Sequence, residues 1–130
     1  QVVQEALKED SKKVKTSITL SIENNLDVEI TIQTGDISNK IVINSSGKNL
    51  NTSELHKELI KLKQQYPEVF KIDLRPNGSV PYDLIVQIMD EARKSRDPNI
   101  MFPIFDKAKN ETTQTPYMFP EVIFVNTTEG

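Results

Sequence analysis

Leu74-Arg75-Pro76-Asn77-Gly78-Ser79-Val80-Pro81-Tyr82-Asp83-Leu84-Ile85-Val86-Gln87-Ile88-Met89-Asp90 is the stretch on which the fold turns. Asn77-Gly78 is a dipeptide that readily adopts positive φ, so it reverses the chain after an apolar run. Pro81 suits a first helical position, where its missing N–H costs nothing. Leu84, Ile85, Ile88, Met89 and Ala92 then fall on one helical face. The segment therefore reads as strand, tight turn, helix.

Outward from it, the strand is expected over Val69 to Leu74, with Phe70, Ile72 and Leu74 on its core face. The helix is expected from Pro81 to Arg96. Asp90 and Lys94 form a supporting pair one turn apart, and Arg93 and Lys94 complement the helix dipole. Upstream, Asn51 followed three residues later by Glu54 has the pattern of a capping box. Leu55, Leu59, Ile60, Leu62 and Tyr66 give that earlier helix its apolar stripe, and Pro67 ends it. Lys57, Glu58, Lys61, Lys63 and Gln64 read as its solvated face. His56, the single histidine, reads as an ordinary surface residue beside the stripe.

Nearer the N-terminus the period changes to two, the mark of half-buried strands. Ile18, Leu20 and Ile22 alternate with Ser17, Thr19, Ser21 and Glu23. After a turn at Asn24-Asn25, Leu26, Val28, Ile30 and Ile32 alternate with Asp27, Glu29, Thr31 and Gln33. The two runs predict an antiparallel hairpin, and Ile41-Val42-Ile43 a third short strand. Downstream, Asp97 to Thr115 reads as an irregular loop whose Ile100, Met101, Phe102, Ile104 and Phe105 pack back onto the domain. Val122 to Val125 reads as a last strand. The predicted fold is α+β, a two-layer sandwich with a mixed sheet of about five strands and two helices on one face.

Composition narrows the function. The chain has 130 residues, enough for one domain with a core that needs no staples. It has no cysteine, which excludes disulfides, thiolate metal sites and cysteine nucleophiles. One histidine excludes a polyhistidine metal site. A net charge of −3 argues against a general nucleic-acid binder. No run of about 20 apolar residues is present to cross a membrane. The four glycines are scattered at positions 35, 47, 78 and 130, so they build no phosphate loop. Asp73, Asp83, Asp90 and Glu91 are a chance density among 19 acids rather than a catalytic pair. Sequons at Asn44, Asn51, Asn110 and Asn126 matter only in a glycosylating compartment.

The opening stretch resembles the signature of the ExbD/TolR family: a strand ending in Arg, a turn, Val-Pro-Tyr, then a helix with a Met-Asp core. Arg75, Asn77, Val80, Pro81, Tyr82, Met89 and Asp90 stand at the matching positions, with Asn77, Pro76 and Asp83 replacing the usual Asp, Ala and Gly. The likeness covers roughly residues 17 to 96 and the last strand, and the loop from Asp97 to Pro120 is longer than the family's connection. The resemblance implies a non-enzymatic role without cofactor or metal. It implies the periplasmic domain of a single-pass bacterial inner-membrane protein, in a motor driven by the proton motive force. The implied partners are a second copy in a homodimer, an ExbB/TolQ-like pentameric membrane protein, a TonB- or TolA-like protein, and peptidoglycan. On this reading residues 1–16 are a linker or stalk after a transmembrane helix outside the sequence. Residues 17–126 are the domain, and 127–130 a polar tail. The proton-carrying residue also lies outside the sequence. Strand addition at an exposed sheet edge is the expected binding mode, with Ser17, Thr19 and Ser21, or Val122 and Phe124, as the candidate edges. A stand-alone periplasmic scaffold that binds peptidoglycan or protein, without a motor, is the alternative.

Overall fold

The computed structural model describes residues 15–125. The expected stalk and polar tail fall on residues outside that span, apart from its flanking positions. Three strands come first: β1 (Thr16–Ile22), β2 (Val28–Thr34) and β3 (Ile37–Ile43). Helix α1 (Thr52–Gln65), β4 (Lys71–Pro76) and helix α2 (Tyr82–Arg93) follow. A hairpin of β5 (Phe102–Asp106) and β6 (Glu111–Thr115) precedes the last strand, β7 (Glu121–Phe124).

The sheet has five strands in the order β3-β2-β1-β4-β7. The first three pair antiparallel, while β4 runs parallel to β1 and β7 parallel to β4. The period-two pattern explains why one face is buried. Ile18, Leu20, Ile22, Val28, Ile30, Ile32, Ile72 and Leu74 point inward. Leu55, Leu59 and Leu62 of α1 and Ile85, Ile88 and Ala92 of α2 meet them from one side. Fully burying each aliphatic side chain contributes about 1.5–3 kcal/mol, so this single interior layer holds the domain together. The expected α+β two-layer architecture is what the structure shows.

The local signals act as read at several points. Asn51 caps α1, its Oδ1 accepting from the Glu54 amide at 3.2 Å. Asn51→Ala should cost about 1 kcal/mol, measured as a lower urea midpoint with an unchanged slope.

Four expectations need correction. β3 spans seven residues rather than three, because Ile37 to Lys40 pair with β2 although exposed. The turn after β1 puts positive φ on Leu26 (73°) rather than on an asparagine. Asn25 Oδ1 accepts the Asp27 amide while the Leu26 amide reaches Glu23 O, which bends the chain at Leu26. Pro81 is the residue before the helix, with extended ψ of 150°. The irregular loop contains the β5–β6 hairpin, closed by Asp106 Oδ1 accepting the Ala108 amide at 3.0 Å and by Asn110 at φ 54°.

The hairpin is rooted in the domain at its base. Phe102 is fully buried, as are Met118 and Phe119 on the return to β7. Met118 N donates to Arg93 O at 2.8 Å and Phe119 N to Ala92 O at 3.0 Å. These bonds occupy carbonyls that the end of α2 leaves unpaired. Met101 and Phe105 stay exposed, so the apolar cluster packs onto the domain only in part.

Candidate partner-binding edge

Strand order decides which backbone groups are free. β1 is the middle strand, flanked by β2 and β4. Ser17, Thr19 and Ser21 therefore cannot recruit a strand, and that expectation is overturned. The crossover through α1 returns the chain beside β1, and β4 covers the edge that the first hairpin left open. The edges are β3 and β7.

β7 is the edge that carries Val122 and Phe124. Glu121 N donates to Phe70 O and Val125 N to Leu74 O. Residues two apart share a direction in a parallel ladder, so the odd positions bond β4. The N–H and C=O groups of Val122 and Phe124 point to the free side. Their side chains lie on the helix face, since Val122 is in register with Ile72 and Phe124 with Leu74. Val122 is half-buried and Phe124 is 55% exposed.

α2 and the β5–β6 hairpin together connect the neighbouring parallel strands β4 and β7. Ile85, Ile88 and Ala92 face the sheet, and Glu91 faces α1. At roughly 3.6 residues per turn, Tyr82, Val86 and Met89 fall on the flank away from α1. Tyr82 is 74% exposed, and Val86 and Met89 are half-buried. The ring of Tyr82 is thus presented outward rather than packed at the helix entry.

The remaining motif residues build the turn. Asn77 N donates to Ile22 O at 2.8 Å, and Asn77 Oδ1 accepts from Ser79 N at 3.1 Å and Ser79 Oγ at 2.9 Å. Val80 is buried, which sets the start of α2 against the core. Arg75 is exposed on the opposite face of β4, in register with Ser21. Asp90 pairs with Arg93 at 3.7 Å in place of the expected Lys94. The Lys94 ammonium instead lies 5.4 Å from the centre of the Tyr117 ring. Of the anticipated residues, Val122 and Phe124 lie on the outer strand β7, and Tyr82 and Met89 lie on one flank of α2. Arg75 is on the opposite face of β4, and Asp90 is on the exposed side of α2. Val86 escaped the sequence reading, although its spacing from Tyr82 and Met89 marks it.

Among the described residues no group of three or more His, Asp or Glu side chains is placed to hold a metal ion. No helix among them is long and apolar enough to cross a membrane.

Comparison with protein families matches residues 2–107 to the Biopolymer transport protein ExbD/TolR family. The chain belongs to the ExbD/TolR family. Searches of curated proteins and of solved structures found no match.

Proposed function

We propose that this chain is the periplasmic domain of an ExbD/TolR-like subunit in a proton-driven inner-membrane motor. Family membership supports the motor assignment. In that role it has no enzymatic activity. It works as a homodimer, is anchored to an ExbB/TolQ-like ring, and transmits work to a TonB- or TolA-like protein or to the cell wall. The observation that carries the binding step is the free outer edge of β7, where the N–H and C=O groups of Val122 and Phe124 face away from β4. A partner segment adds there as a sixth strand. Its backbone bonds Val122 and Phe124, and its alternate apolar side chains seat against Phe124.

The test uses a TonB-like periplasmic peptide and amide chemical shifts. Binding should shift Val122 and Phe124 and leave β3 unmoved. Val122→Pro removes an N–H that faces away from β4, a position where proline is tolerated in an edge strand. It should leave the fold intact and weaken the peptide by roughly tenfold or more, the scale of a lost hydrogen bond plus a steric block. Shifts confined to β3, or unchanged affinity in Val122→Pro, would refute the β7 edge.

A further inference from the structure

We propose that His56 is a protonation latch that fastens α1 to the root of the β5–β6 hairpin. Its side chain is 17% exposed and sits between the two helices. Nδ1 lies 3.1 Å from Glu91 Oε1 and 3.0 Å from Glu91 O, and Nε2 lies 2.8 Å from Ser95 O. A backbone carbonyl and a carboxylate only accept hydrogen bonds. Both ring nitrogens must therefore carry hydrogen for every contact to be a bond, and only the imidazolium does so. The Glu91 carboxylate, 10% exposed, faces the ring from α2, and the Arg96 guanidinium, a like charge to an imidazolium, shares the same carboxylate oxygen.

The contacts behind the ring give the latch its reach. Ser95 is almost fully buried. Its hydroxyl donates to Ile100 O at 2.9 Å and its amide to Pro116 O at 3.0 Å. The next residue, Arg96, has φ of 60°, a left-handed conformation that costs a non-glycine residue energy. Both strands of the hairpin thus leave the domain through groups tied to Ser95. When the ring loses a proton and keeps the one shared with Glu91, a lone pair on Nε2 faces Ser95 O. That contact becomes repulsive, and the Ser95 hub and the strained Arg96 lose their restraint. The latch is closed where the ring holds two protons and opens as pH rises. Pro116 to Phe119 run directly into β7, so an open latch also loosens the entry to that strand.

The test reads the ring and the backbone together in the 130-residue chain, from about pH 5 to about pH 8, where imidazole changes charge. Long-range ¹⁵N–¹H spectra of His56 should show both nitrogens protonated at the acidic end. Amide exchange of Ser95, Met118 and Phe119, with the intrinsic base-catalysed rate divided out, should quicken roughly tenfold as the ring titrates, the scale of one lost charge-assisted hydrogen bond. The central amides of β1 and β2 should not follow. His56→Gln should abolish the pH dependence. A ring with a single proton throughout overturns the latch, as does protection that ignores the ring's titration. A pH dependence that survives in His56→Gln overturns it too. Should His56→Gln fail to fold, the wild-type comparison of ring and amides decides alone.

Discussion

Phe119→Ala should lower the unfolding free energy by about 4 kcal/mol, within the range for truncating a buried phenylalanine. Phe119 is fully buried in the main core, yet it comes from the return segment beyond the hairpin rather than from a helix or a strand of the sheet. Three losses combine at this one residue. The ring leaves a cavity beneath α1 and α2. The Lys63 ammonium, 5.4 Å from the ring centre, loses one of its two aromatic faces. The segment that carries the Phe119 amide bond to Ala92 O loses its anchor. Urea unfolding followed by circular dichroism measures the effect. A loss below about 1.5 kcal/mol would mean that the return segment packs only loosely on the core.

The second large effect is a pH dependence with an unusual sign. Lys63 lies at the end of α1 with its side chain buried. Nζ donates to Pro67 O at 2.9 Å and Val69 O at 2.6 Å, and sits 3.8 Å over the Phe70 ring. Burial lowers its pKa from 10.5 to about 8, with Glu68 opposing the shift in part. In the unfolded chain the same amine holds its proton to the ordinary value. Between those two values the unfolded state binds more protons, so stability rises with pH. The expected gain is about 3 kcal/mol, from 1.36 kcal/mol per pKa unit. The neutral amine keeps two hydrogens, enough for both carbonyls, so losing the proton does not break the site. Lys63→Met should remove this rise while leaving the titration of the exposed lysines in place. The difference between the two stability curves isolates it. Equal curves across the alkaline range would show that the ammonium is solvated in the fold.

These two residues also show where local reading stops. Lys63 follows Leu62 and lies one turn after Leu59, so its position on α1 borders the buried stripe. Lysine in such a place ordinarily extends to water. The chain from Pro67 to Val69 folds back and presents two carbonyls, and Phe70 and Phe119 close the rest. None of these partners lies in the helical pattern of α1. His56 is the same case, since its oxygens come from Glu91 in α2 and from Ser95 just past its end, 35 and 39 residues away. The hairpin went unread because Glu111 to Thr115 has no apolar alternation and Pro103 stands inside β5.

The sequence by itself determined the elements whose causes are local. Alternating side chains made β1 and β2, an asparagine cap started α1, and Asn77 to Pro81 turned β4 into α2. It also determined the family, because that turn and helix entry carry the family's pattern. Tertiary structure alone decided which edge is open. The crossover through α1 laid β4 beside β1, placed Ser17, Thr19 and Ser21 on the middle strand of the sheet, and left β7 outermost. Hydrogen-bonding neighbours across a sheet are set by how the chain returns over its core, and the period of a single strand does not contain that information.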